Sequence, residues 1–587
     1  MAKLHVCPLF FQSTDWIDRL LKDKNGIGRA CAGARHCGFS GSRMEPLRRL
    51  GIDVAQMTWP ALLKRQASRN EGKTFLIFEG RRYSYKEIDV LARSLATGLM
   101  AAGIRKGDHV ALLIGNSSET LLLNMALGCA GAVTCPVNTA AKGDLLAYFL
   151  GLCEATAVVV GEDFLGRYEE IEIQLSAVRR LVIVPSGKPD AGIAAPYRSS
   201  ISVTRYEALA SMGGDLELPQ VDASDPQTIM FTSGTTGPSK GILISNAQSF
   251  HFSIGRVEYL GLRDDDVVYT CLPLFHGNAL NAAAVCAFAA DATLVLSRRF
   301  SARSFWSEVR ENGVTQFNLL SSMTNILWGM PASPDDRNHR VRQCTMVPVP
   351  MFADDFAKRF GVEIVSSYSL TDFGQGTFLQ PGVPPDKFRS AGRPRPGVEL
   401  AILDDAGTPL DAGEAGEICL RSDDTSLSGR IYFRMPEETR RAGEGGWFHT
   451  GDRGYLDADG FLFFVDRKKD AIRRRGENIS SWEVEQVIAR HPDVADVAVF
   501  PVKSEQSEDE VMASVICREG RTIDPEDLVR FCERNMAYFM VPRYVEFPPD
   551  LPRTLTEKVQ KQELRKSAES RLDEIWDRER AGVVLSR

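Results

Sequence analysis

Residues Thr228–Ser245 read TIMFTSGTTGPSKGILIS. Two β-branched, apolar runs, Thr228–Phe231 and Ile242–Ser245, bracket a loop made almost wholly of Gly, Ser, Thr and one lysine. Glycines admit the backbone angles of a tight loop, and N–H groups, hydroxyls and an ammonium then converge on whatever it encloses. A polyphosphate is the natural guest. A Walker P-loop needs Gly, four residues and then Gly-Lys-Ser/Thr ahead of a helix. Here Ser239 replaces the second Gly, Gly241 follows Lys240, and a strand-like run comes next, which argues against a P-loop kinase. A solvated turn joining two strands would explain any five of these residues, but not the whole string.

With 587 residues the chain is too long for one ordinary domain, so two or more are expected. A net charge of −7 argues against a nucleic-acid protein. The longest apolar-looking region, Ala279–Leu296, is interrupted by Asn281 and Asp291 and reads as buried core, not as a membrane span. Twelve cysteines without CxxC pairs predict reduced thiols, a cytoplasmic setting and no structural zinc. Residues 1–43 lack a secretory signal and include a Gly, Ser, Arg and Cys-rich stretch, so they are expected to be a poorly ordered, dispensable extension ahead of Met44.

Helix and strand signals alternate from Trp59 onward. Ser84 and Glu87 form a capping-box pattern, followed by Ile88, Leu91, Leu95 and Leu99 at helical spacing until Gly103. Val110–Ile114, Ala132–Val137, Ala157–Val160 and Leu181–Val184 read as strands and Glu119–Cys129 as a helix. That order predicts an α/β fold, a large N-terminal domain of parallel-rich sheets covered by helices. Pro185–Asp225 reads as a loose connection. Toward the C-terminus, Ser480–Arg490 and Pro525–Met536 read as helices, Val494–Pro501 and Val511–Cys517 as strands, and the charged tail after Ser567 as helical or frayed. These make a smaller α+β domain.

Further stretches carry chemistry-bearing residues. His276 closes Leu272-Pro-Leu-Phe-His276; a lone imidazole in an apolar setting is more often a packed core residue than a catalyst. Ser366-Ser-Tyr368-Ser-Leu-Thr371-Asp372 reads by itself as a hydroxyl-rich strand end. Trp447-Phe-His449-Thr-Gly-Asp452 sets a carboxylate behind a Gly turn, and Val465-Asp466-Arg467-Lys468-Lys469-Asp470 is a charge cluster that alone would be a solvated face. Lys558 lies in Leu551-Pro-Arg-Thr-Leu-Thr-Glu557-Lys558.

Taken together, these stretches resemble the AMP-forming adenylating enzymes: acyl-CoA synthetases, peptide-synthetase adenylation domains and beetle luciferases. The resemblance implies an ATP-phosphate loop at Thr232, Ser233, Gly234, Thr235, Thr236, Gly237 and Lys240. It implies adenine stacking on Tyr368, an α-phosphate bond from Thr371, Mg²⁺ held with help from Asp372, and ribose bonded by Asp452 and Arg467. His276 lines the carboxylate pocket without a proton-transfer role. Lys558 is the mobile catalytic lysine, Lys469 the hinge, and Gly476 with Glu477 the coenzyme A region. The implied domains are 44–467 and a mobile 468–587. Gly392-Arg-Pro394, Gly397 and Gly413–Glu417 resemble scaffold turns of the family.

The chain departs from the family pattern at Pro238, Ser369, Asp372 and Glu557, and Val347–Pro350 stands where Gly-Gly-Ala-Pro is usual. A carboxylate one methylene shorter than Glu must draw closer to Mg²⁺ or bind it through water. Leu262–Asp266, Phe300–Trp306 and Asn338–Arg342 resemble carnitine or crotonobetaine CoA ligases. The implied reaction is activation of a small or medium carboxylic acid by ATP, then acyl transfer to coenzyme A, the expected acceptor because the match runs almost to the end of the chain and no carrier domain follows. Two alternatives stay open: loading of a carrier protein, and nucleotide binding with impaired turnover. An oligomer is possible.

Overall fold

In the computed structural model, the described residues are 50–186, 198–214, 216–231, 239–350, 352–422, 431–467, 472–474, 477–503, 509–554 and 558–585. The expected extension, residues 1–43, lies outside them. Val133–Pro136 and Ala157–Gly161 are buried at every position, as strands covered on both faces must be. They belong to an eight-stranded sheet. Its spatial order is Ile431–Tyr432, Gly241–Ser245, Pro226–Phe231, Val133–Pro136, His109–Leu113, Ala157–Gly161, Arg180–Val184 and Ser202–Arg205. From Pro226–Phe231 onward all neighbours are parallel, whereas Gly241–Ser245 returns antiparallel and pairs with Ile431–Tyr432.

A seven-stranded sheet stands beside it, parallel except for its edge strand Arg81–Ser84. One buried cluster joins apolar side chains of both sheets to the helices Trp59–Arg69, Tyr85–Ala101, Ser118–Cys129 and Asn246–Tyr259. Ser118–Cys129 is buried at every residue but Glu119. Gly128 permits this approach: a Cβ there would lie 2.1 Å from Trp59 Cδ1. The capping box forms as its pattern predicts, with Glu87 N donating to Ser84 Oγ and Ser84 N to Glu87 Oε2.

Two readings of the chain need correction. The connection read as loose holds a strand, Ser202–Arg205, and a helix, Tyr206–Met212; the strand is too polar and short for its pattern to register, but it completes the sheet edge through backbone bonds. The tail after Ser567 is more than helix, because Trp576–Asp577 pairs antiparallel with Tyr544–Glu546.

The smaller C-terminal unit has a four-stranded sheet, Val494–Lys503, Asp509–Cys517, Tyr544–Glu546 and Trp576–Asp577, with helices Ser481–Ile488, Pro525–Asn535 and Lys561–Ser570. Its core includes Val484, Ile488, Val499, Val515, Leu528 and Val529. Among the described residues no helix is long and apolar enough to cross a membrane.

Candidate active site

The Tyr368–Asp372 stretch folds as a small hairpin. Ser369–Leu370 pairs antiparallel with Gly374–Gln375, which leaves Thr371, Asp372 and Phe373 at the tip. Gly374, at φ 100°, supplies the left-handed conformation the turn requires. Ser369, standing for the family's Gly, lies in an extended strand, so this departure introduces no backbone strain. Phe373 points into the core, its ring 5.5 Å from that of Phe448. The hairpin is thereby anchored to the strand Phe448–Leu456, which also carries Asp452.

Tyr368 and Asp452 meet directly: the phenol donates to Asp452 Oδ2 at 2.7 Å, and both side chains are buried. Burial first and the Asp452 charge second hold the phenol well above its usual range, so it stays a neutral donor. Asp452 N donates to Thr450 Oγ1, which fixes the turn before the carboxylate. Asp452 is paired in register with Arg467 on the neighbouring strand. The two residues expected at the ribose thus stand side by side in the backbone ladder; the Arg467 side chain lies outside the described residues.

The second contact of the hairpin tip was not foreseen. Tyr432 donates its phenol to Asp372 Oδ2 at 2.6 Å, while Lys240 Nζ lies 4.5 Å from the centre of the Tyr432 ring. Register produces this meeting, since Tyr432 pairs with Ile242, two residues after Lys240. The loop's exit is also tied down, with Tyr148 donating its hydroxyl to Ser239 O at 2.7 Å. Residues 232–238, expected to cradle phosphate, lie outside the described residues. Met230, just before them, abuts the His276 turn: a Cβ on Gly277 would lie 3.5 Å from Met230 Cε.

His276 caps the short helix Gly277–Ala279, its Nδ1 accepting from Asn278 N at 3.3 Å. Asn278 Oδ1 in turn accepts from Asn318 Nδ2 at 2.9 Å. Burial, and then the ammonium of Lys558, push His276 down to about 4. The ring is neutral near pH 7 and far from the pKa a general base wants, in keeping with a lining role. The charge of Lys558, from the end of the chain, therefore acts on His276. Lys558 sits in a turn closed by Thr554 N to Lys558 O at 2.6 Å and Lys558 N to Thr554 Oγ1 at 3.1 Å, and flanked by an Arg553–Val559 bridge.

Three residues later, Lys561 bonds Ser481 Oγ at 2.6 Å and Glu485 Oε1 at 2.8 Å. Ser481 also donates its N–H and hydroxyl to Asp466 Oδ2, both at 2.7 Å. The end of the lysine turn is therefore tethered to the junction between the two units. Lys469 and Gly476, and the side chain of Glu477, lie outside the described residues. The stretches that resemble carnitine CoA ligases form scaffold: Arg342 Nη2 bonds Asp266 Oδ2 at 2.5 Å, and Trp306 stacks on His339 with centroids 5.1 Å apart.

The family model described as AMP-binding enzyme matches residues 63–428, and that of the AMP-binding enzyme C-terminal domain matches 483–558. A crotonobetaine/carnitine--CoA ligase of Salmonella enteritidis is 35% identical over 509 residues, covering 84% of this chain and 96% of the relative. The ligase of that name from Escherichia coli is 35% identical over 511 residues with the same coverage. Among solved structures, the anthranilate CoA ligase AuaEII in complex with anthranoyl-AMP has TM-score 0.78 at 25% identity over 89% of this chain and 99% of that one. ATP-bound MatB from Rhodopseudomonas palustris has TM-score 0.74 at 26% identity over 87% and 99%. With both family models matched and the relatives aligned over most of its length, this chain belongs to the AMP-binding enzymes, as an AMP-forming acyl-CoA synthetase.

Proposed function

We propose that this chain activates a small or medium carboxylic acid with ATP, releasing pyrophosphate, and passes the acyl group from the adenylate to coenzyme A. The observation that carries the reading is the buried Tyr368–Asp452 hydrogen bond, with Asp452 in register with Arg467 and with Asp372 bonded to Tyr432, whose ring lies against Lys240. A carboxylate resists substitution because its leaving group would be oxide, and adenylation replaces oxide with AMP. A carboxylate oxygen attacks the α-phosphorus and the bond to pyrophosphate breaks. The ammonium of Lys558 offsets the charge that builds as two anions meet; such preorganised groups are worth about 3–4 kcal/mol each.

Tyr368 supports the adenine, and Asp452 with Arg467 holds the ribose. Asp452, in register with Arg467 on the neighbouring strand, accepts from a ribose hydroxyl. Thr371 bonds the α-phosphate, and Lys240 follows the triphosphate, carried on the Tyr432 ring. Asp372 is a hard oxygen donor of the kind Mg²⁺ accepts, so it would hold a Mg²⁺ that neutralises phosphate charge. Tyr432 positions that carboxylate, which suits an Asp standing where the family has Glu. After pyrophosphate leaves, the unit 468–587 turns on Lys469 relative to 44–467, withdraws Lys558 and brings Gly476 and Glu477 toward the thiol. The sulfur bonds the acyl carbon, AMP departs, and the thiol proton passes to solvent.

The named relatives and AuaEII are CoA ligases, which supports coenzyme A over a carrier protein as acceptor. The test is an acid screen: protein, ATP, Mg²⁺, coenzyme A and a panel of short-chain, aromatic and trimethylammonium-bearing acids, with CoA thioesters read by mass spectrometry. A thioester from one acid class is expected. Thioesters forming only on phosphopantetheinyl carriers, or on no acceptor, would overturn the reading.

A further inference from the structure

The strands Gly416–Ser422 and Phe448–Leu456 pair antiparallel, with Cys419 directly opposite His449. Ile418, Leu420 and Phe448 turn one way, into the core around Tyr368 and Phe373. Glu417, Cys419 and His449 occupy the other face and form, among the described residues, a group of ligand atoms all within 4.8 Å of one another. Cys419 Sγ lies 3.5 Å from His449 Nδ1, and that same nitrogen lies 3.3 Å from Glu417 Oε2.

These separations match a metal polyhedron. Zinc bonds of about 2.3 Å to sulfur and about 2.0–2.1 Å to nitrogen and oxygen, at tetrahedral angles, put sulfur and nitrogen about 3.5 Å apart and nitrogen and oxygen about 3.3 Å apart. Both observed edges agree. One cation at the centre would serve three side chains already gathered around it. We propose that Glu417, Cys419 and His449 form a three-ligand site for a thiophilic divalent cation, with Zn²⁺ as the fitting ion.

The ligand set is a carboxylate, an imidazole nitrogen and a thiolate, the mixture zinc takes in sites that keep a fourth position for water. Binding releases the Cys419 thiol proton to solvent, and the thiolate and carboxylate balance the 2+ charge. Cys419 is fully buried, while the His449 side chain is 37% exposed, so the ion enters from the histidine side. The Glu417 carboxylate is already oriented, because Oε1 accepts from Gly451 N at 3.1 Å and leaves Oε2 turned to the imidazole. That bond also places the site one residue from Asp452, at the turn leading to the proposed ribose contact.

The test uses the full chain and reads metal, not turnover, so it is separable from the proposed reaction. Zn²⁺ affinity is measured by competition with a chromophoric chelator, and Co²⁺ is added as a spectroscopic probe. One equivalent of tight binding, a near-ultraviolet sulfur-to-cobalt band and intense tetrahedral visible bands are expected. Cys419→Ser should abolish the sulfur band, and His449→Gln should weaken zinc by more than the roughly 10- to 100-fold that losing an outer-shell partner costs. Lys558→Ala should leave both unchanged. Spectra and affinity unchanged in Cys419→Ser would assign the metal to other thiols, such as those at Cys7, Cys31 and Cys37, and overturn the site, as would octahedral cobalt without a sulfur band.

Discussion

The surroundings of Asp452 and of Lys558 are built in opposite ways. Asp452 is 6% exposed, seated mid-strand, bonded to a buried phenol and backed by a hairpin whose Phe373 reaches the core. Lys558 is exposed and is placed by a short turn anchored through Lys561 to the junction of the two units. The first arrangement suits a group that keeps one position through a reaction, and the second a charge that is delivered and withdrawn. Local stability is partitioned in that sense in proteins generally, with moving elements drawn from regions of few buried contacts.

Removing the delivered charge gives the largest effect and tests the contrast most severely. Lys558→Ala should slow adenylate formation by about 10²- to 10³-fold. Thioester formation from supplied acyl-adenylate should change little. Single-turnover assays of the two half-reactions check this, and equal losses in both would erase the distinction between fixed and delivered groups.

Next comes the fixed side. Asp452→Ala leaves the Tyr368 hydroxyl buried without its acceptor, a cost of about 1–3 kcal/mol. A lower urea midpoint together with a raised KM for ATP is expected, whereas for Lys558→Ala the midpoint should stay put. An unshifted midpoint in Asp452→Ala would show that this region is not the rigid one.

A smaller effect is expected at the hairpin tip. Tyr432→Phe keeps the ring under Lys240 but removes one hydrogen bond to Asp372, worth about 1 kcal/mol, or roughly a fivefold change in the Mg²⁺ concentration needed for half-maximal rate. An unchanged Mg²⁺ titration would deny Tyr432 a positioning role.

The last prediction reads pH-dependent stability and not rate, at His276, which folding lowers from 6.5 to about 4. Between those values the unfolded chain binds the proton more readily, so its contribution to stability is whole above pH 6.5 and is lost as pH falls toward 4. His276→Gln should lose less stability than wild type between pH 7 and pH 4.5 in urea titrations. A larger loss in the variant would reverse the assigned sign.

Much of this was legible in the chain because it is local. The capping box at Ser84 and Glu87 and the runs flanking the Gly-rich loop depend on neighbours a few residues away, and the structure reproduces them. The Gly turn before Asp452 was readable because its residues are adjacent, whereas the ribose role came from the resemblance alone. Tyr432 was not readable, since Ile-Tyr-Phe-Arg carries no chemical signal and meets Asp372 only because a two-residue strand adds to the edge of the large sheet. The proximity of Glu417, Cys419 and His449 was hidden for the same reason, and CxxC spacing carries no sign of it. Cys419 and His449 are thirty residues apart in sequence and become neighbours only through strand register. Ser202–Arg205 escaped because its strand character lies in backbone bonds to Arg180–Val184 and not in its side chains.

The most direct measurement of the central claim is ATP–pyrophosphate exchange across an acid panel without coenzyme A. Exchange should require both Mg²⁺ and a particular class of carboxylic acid, and should collapse in Lys558→Ala. Exchange that is absent with every acid, or that persists undiminished without the Lys558 ammonium, would contradict it.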